Sequence, residues 1–165
     1  MPTLQGYGAL AREVAYGERC RGDILLRSPD KPPCYVEVKN AHLMREAGLA
    51  EFPDSVTARG AKHLAELSKL VGTGARAVML FLVQRGDAEA FALAYDLDPN
   101  YVRAFDAAAD QGVEAMAVAC ALSIDGLLRP RPIPLLLRRK ACGSCRHCTP
   151  AHFTLSHLGH AVQRA

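Results

Sequence analysis

Cys34-Tyr35-Val36-Glu37-Val38-Lys39-Asn40 sets Val36 and Val38 in alternation with Glu37 and Lys39. That is the period-2 pattern of a half-buried strand. One face goes to a core, and the other presents a carboxylate and an ammonium about 7 Å apart along the strand. A second strand, Gly22-Asp23-Ile24-Leu25-Leu26-Arg27, comes just before it. The link Ser28-Pro29-Asp30-Lys31-Pro32-Pro33 is rich in turn-forming residues, so the two strands are expected to form an antiparallel hairpin.

Parity then constrains the polar side chains. If Ile24 and Leu26 share a buried face with Val36 and Val38, Asp23 shares the opposite face with Glu37 and Lys39. Two carboxylates about 5 Å apart repel by roughly 3 kcal/mol at an effective dielectric near 20. Such a pair favours a bound cation, a shared proton or a nearby lysine. A hard divalent ion such as Mg²⁺ suits two carboxylates plus water. The plainer alternative is an exposed cross-strand charge row worth a few tenths of a kcal/mol.

An Asp, a short loop and Glu-x-Lys on a strand resemble the core of the PD-(D/E)xK nuclease superfamily. Three blocks more specifically resemble the sugar fermentation stimulation protein A (SfsA) family. They are Gly22-Asp23-Ile24-Leu25-Leu26, Cys34-Tyr35-Val36-Glu37-Val38-Lys39-Asn40 and the long stretch from Phe52-Pro53-Asp54 through Arg59-Gly60-Ala61-Lys62-His63-Leu64. The resemblance runs from about Leu4 to Leu137 and implies an α/β fold with a mixed β-sheet flanked by helices, restriction-endonuclease-like. It implies a site in which Asp23, Glu37 and the backbone carbonyl of Val38 hold Mg²⁺ or Mn²⁺ and Lys39 joins them in catalysis. The implied activity is phosphodiester hydrolysis of nucleic acid, with DNA as partner. The family name also admits a non-catalytic DNA-binding regulator of sugar-utilisation genes. Where the family usually has an apolar residue this chain has Gly22, which is expected to loosen the strand start and shift Asp23 slightly. The family's N-terminal OB-type domain has no counterpart in the sequence. If the chain is complete, a surface for nucleic acid is missing.

Composition agrees with a folded domain. The chain has 165 residues, half of them apolar, and a net charge of +3 that permits nucleic-acid binding without arguing for it. No apolar run reaches the roughly 18 residues a membrane span takes, no signal peptide is evident, and three of the six cysteines crowd into Cys142 to Cys148 as metal or redox chemistry in a reducing compartment would have them, so the expected location is the cytoplasm. No repeat or low-complexity segment is visible.

Along the chain, residues 12–16 read as a short strand, with Glu13 either facing the site or solvated. Residues 41–54 read as a long connection overhanging the site, with Asp54 as a helix N-cap. The next helix is expected from Ser55 to Val71, with Val56, Leu64, Leu67, Leu70 and Val71 as its apolar stripe and His63 at the polar edge. A helix N-terminus favours anions, and Arg59, Thr57 and His63 are candidate phosphate contacts. Alternatively, His63 is a satisfied core residue. Arg76 to Arg85 reads as a central strand buried on both faces. Residues 86–97 read as a connection, Asp98-Pro99-Asn100 as a helix start, and Val113 to Ser123 as the last strand of the sheet. Residues 129–134 are extended by their prolines.

Two regions are thus expected: a nuclease-fold domain over 1–137 and a Cys/His-rich basic tail over 138–165. Of the six cysteines, Cys142, Cys145 and Cys148 lie in that tail at CxxC spacing, with His147, His152, His157 and His160 nearby. Three thiolates and a histidine such as His152 are a possible Zn²⁺ set. A disordered extension is the alternative.

Overall fold

The computed structural model describes residues 4–16, 20–124 and 126–137. The candidate zinc residues Cys142, Cys145, Cys148 and His152 lie outside them. The elements are β1 (Ala9–Tyr16), β2 (Cys20–Ser28), β3 (Lys31–Ala41), β4 (Leu43–Glu46), β5 (Leu49–Phe52), α1 (Ala58–Gly72), β6 (Arg76–Val83), β7 (Ala90–Leu93), α2 (Pro99–Asp110), β8 (Glu114–Ser123), β9 (Gly126–Ile133) and β10 (Leu135–Leu136). The expected mixed α/β architecture is found.

The main sheet has the order β1-β2-β3-β6-β8-β9. β2 and β3 form the expected antiparallel hairpin, with Ile24 opposite Val36 and Leu26 opposite Cys34. The turn is only Pro29-Asp30, because Ser28 and Lys31 already pair. β6 lies centrally and parallel to both β3 and β8. Its near-continuous apolar run is what a strand covered on both faces requires. On one face Met79 and Phe81 join Leu64 and Leu67 of α1 with Tyr101 and Phe105 of α2. On the other, Val78 and Leu80 join Leu26, Val36 and Val118, with Leu4 and Tyr7 packed against them and no residue of either helix. Both helices therefore bury their apolar sides on the face that carries Tyr35 and Glu37.

Several local expectations are corrected. Residues 41–54 and 86–97 are not plain connections: β4, β5 and β7 build a second sheet, ordered β10-β7-β5-β4. Helix α1 starts at Ala58, and its N-cap is Thr57, whose Oγ1 accepts the Gly60 N–H at 3.1 Å; Asp54 does not cap it. Val56 lies outside the helix and is exposed. β8 is not the last strand, because β9 pairs with it antiparallel. Pro130 and Pro132 are tolerated there because β9 is an edge. Helix α2 begins as expected, with Asp98 as N-cap and Pro99 in the first turn.

Candidate functional site

Glu37 is the centre of the site. Its face of β3 was expected to meet water, yet the residue is only 2% exposed. The strand alternates as its sequence implies, but α1 covers the polar face. Lys39 Nζ donates to Glu37 Oε1 at 2.7 Å. His63, buried on α1, bonds the same oxygen through Nδ1. Arg59 Nε, one turn back on the helix, donates to His63 Nε2 at 3.4 Å. That contact needs Nε2 as an acceptor, so the neutral His63 tautomer carries its proton on Nδ1 and donates it to Glu37.

Both donors thus converge on Oε1. Among the described residues, Glu37 Oε2 is buried and no group reaches it in ordinary hydrogen-bond geometry, although the Tyr16 hydroxyl lies close enough to interact with this carboxylate. Among the described residues, the hydroxyls of Tyr16 and Tyr101 are likewise buried without a partner in that geometry. Each phenol is held well above its ordinary pKa, first by burial and then by the negative charge of Glu37. Asp23 adds to the effect at Tyr16, so that ring lies within electrostatic reach of both carboxylates.

Asp23 reaches the site by a different route from the one parity suggests. Its Oδ2 accepts the backbone N–H of Val38 at 2.7 Å. Backbone N–H groups lie in the plane of a sheet, so this carboxylate sits at the seam between β2 and β3, against the peptide that joins Glu37 to Val38. Asp23, Glu37 and Lys39 are therefore neighbours. Gly22 has not loosened the strand: it is a buried, paired member of β2, facing Val14.

The other candidates are placed as follows. Thr57 is engaged in capping α1, and its N–H donates to Asp98 Oδ2 at 2.7 Å. Arg59 is exposed at the start of α1. His63 is committed to Glu37, a partner 26 residues away that no local pattern announces. Glu13 is solvated: it adopts a φ of 50° and pairs loosely with Arg21 at 3.8 Å. Among the described residues no three His, Cys, Asp or Glu side chains form a metal-holding group. An ion here would rest on Asp23, Glu37 and a backbone oxygen. The residues fit such an ion, since the buried and unpartnered Glu37 Oε2 is a hard oxygen donor.

The family model described as "Sugar fermentation stimulation protein RE domain" matches residues 1–126. The chain belongs to the SfsA family. It is 55% identical over 134 residues to a sugar fermentation stimulation protein homolog of Allorhizobium ampelinum, covering 81% of this chain and 57% of that protein. To the homolog of Azorhizobium caulinodans it is 54% identical over 136 residues, covering 82% and 57% respectively. The structure of Pyrococcus furiosus SfsA in complex with Ca²⁺ superposes with a TM-score of 0.73 at 29% identity, covering 82% of this chain and 58% of that one. The chain thus spans somewhat over half the length of these SfsA relatives. Among the described residues, no helix is long and apolar enough to cross a membrane.

Proposed function

We propose that this SfsA-family chain carries a divalent-cation-dependent site for phosphodiester hydrolysis of nucleic acid, with DNA as substrate. The observation that carries the reading is Glu37 Oε2, a buried carboxylate oxygen that no hydrogen bond fills among the described residues, next to a second carboxylate and a lysine. Asp23, Glu37 and the carbonyl of Val38 are the residues that would hold Mg²⁺ or Mn²⁺. A strand residue directs its N–H and C=O to the same edge. Asp23 already occupies the N–H of Val38 on that edge, which sets the carbonyl beside this carboxylate. That Pyrococcus furiosus SfsA forms a complex with Ca²⁺, another hard oxygen-seeking ion, supports the same chemistry.

When bound, the ion supplies charge to polarise the phosphoryl group and to acidify a water. Lys39 holds its ammonium beside Glu37, largely shielded from solvent, and stabilises the charge that develops on the phosphate. Arg59, exposed at the N-terminal end of α1, steadies the phosphate. His63 keeps Glu37 oriented. Plasmid and single-stranded DNA incubated with Mg²⁺ or Mn²⁺ test the reading. Metal-dependent cleavage by the wild type, lost in Lys39→Ala, is the expected result. No cleavage of either DNA under any of these ions would sink it.

A second reading is favoured by one observation: Lys39 is tied to Glu37 rather than free. In that reading the chain is a DNA-binding regulator of sugar-utilisation genes, and the charged cluster is structural. Gel-shift binding without cleavage would select it.

A further inference from the structure

Among the described residues, Glu37 Oε2 is a buried acceptor without a donor, and the Tyr16 hydroxyl is a buried donor without an acceptor. Several features bring the two together. The Tyr16 ring packs against Tyr35, with centroids 5.8 Å apart. Tyr35 stands two residues before Glu37 and so on the same face of β3. The Tyr16 ring also lies directly over Gly22: a Cβ there would sit 2.9 Å from Tyr16 Cε1 and 3.2 Å from Cδ1. Any larger residue at position 22 would push the ring away. The missing side chain is therefore what seats the phenol. Tyr101 also ends in an unpartnered hydroxyl, but the acidic groups felt by it are Glu37 and Asp98, whereas Tyr16 is within reach of Glu37 and Asp23 together.

We propose that Tyr16 is a positioning residue of this site, donating its hydroxyl to one lone pair of Glu37 Oε2 and leaving the other for a cation, with Gly22 as the seat that makes the approach possible. An outer hydrogen bond of this kind fixes the orientation of a ligating carboxylate and typically sets metal affinity by 10–100-fold. The consequence for cation binding rests on the reading given under Proposed function; the hydrogen bond itself does not.

Tyr16→Phe removes one oxygen and keeps the packing of the ring. In metal-free protein labelled with ¹³C in the glutamate carboxyls, the Glu37 resonance is identified by its loss in Glu37→Gln. It should shift in Tyr16→Phe, and Mn²⁺ affinity by titration calorimetry should fall about tenfold. Gly22→Ala, which displaces the ring, should weaken Mn²⁺ to a similar degree, and Gly22→Ala with Tyr16→Phe should bind no worse than either alone. A Glu37 resonance unmoved by Tyr16→Phe overturns the proposal whether or not the protein binds Mn²⁺. So does Mn²⁺ affinity in Tyr16→Phe equal to that of a wild type that binds. A shifted resonance in a protein whose wild type takes up no Mn²⁺ supports the hydrogen bond and removes the cation reading instead.

Discussion

Glu37 and Glu51 are both buried glutamates on strands, 2% and 7% exposed, and their surroundings are opposite. Glu51 on β5 is gripped by the guanidinium of Arg45, whose Nε and Nη2 reach its two oxygens at 2.8 and 2.6 Å. The same guanidinium bonds Asp96 at 2.5 and 2.9 Å. Asp98 is similarly complete, accepting three backbone N–H groups, from Asn100, Tyr101 and Thr57. Glu37 has two donors crowded on Oε1, while Oε2 has, among the described residues, only the Tyr16 hydroxyl proposed above to turn to. A carboxylate whose lone pairs are filled by its own chain is doing structural service. One that keeps lone pairs unfilled in a dry setting bears an unmet desolvation cost. Such a cost is retained where a ligand offsets it.

If this contrast is right, the largest effect follows substitution at the incomplete carboxylate. Glu37→Gln should weaken Mn²⁺ at least about 100-fold, roughly 2.7 kcal/mol, in titration calorimetry. Its urea midpoint should stay close to that of the wild type. A variant that unfolds readily but still binds would invert the assignment. Asp98→Ala comes next, on the stability side. It removes the N-cap of α2 and the link from Thr57, which ties the start of α1 to the start of α2. Cap loss and hydrogen bonds to a charged group together suggest about 2–3 kcal/mol, read from equilibrium urea unfolding. A loss below about 0.5 kcal/mol would show that Asp98 is replaceable by solvent. Glu51→Gln should cost less, about 1–2 kcal/mol, because the Arg45 side is partly in water. It should leave Mn²⁺ affinity unchanged; a change would couple the second sheet to the site.

The residues that form the incomplete cluster differ in how far the sequence announces them. Glu37 and Lys39 are legible because a strand's period of 2 places them on one face, and Ile24 opposite Val36 confirms the hairpin register. What alternation does not carry is whether the polar face meets water or a helix. His63 on α1 settles that, and its partner Glu37 lies 26 residues away on β3. β4, β5 and β7 are four-residue strands, too short for periodicity to stand out from a loop, and a register shift between Leu43 and Glu46 blurs the first of them further. β9 is hidden by its prolines, which exclude a central strand but not an edge. Gly22 shows the same limit: the sequence flags an unusual residue, and only the Tyr16 ring above it gives the reason.

The smallest expected effect is in acid, where both filled carboxylates move in the same direction. The hydrogen bonds from Arg45 hold Glu51 below its ordinary value of 4.5, and the Thr57 N–H, followed by those of Tyr101 and Asn100, holds Asp98 below 3.8. A carboxyl with a depressed folded-state pKa contributes stability that is fully present above its unfolded pKa. That contribution is lost as pH falls through the folded one. Urea midpoints of wild type and Glu51→Gln should therefore differ by a constant amount above about pH 5 and converge as the pH drops below about 4.5. The difference should shrink because the wild type loses stability there while the glutamine variant has no proton to take up at that position. Midpoints that stay parallel down to pH 3 would mean that the Arg45 fork contributes nothing net to folding. Glu51 would then be no more structural than Glu37, and the distinction between the two glutamates would rest on the free oxygen alone.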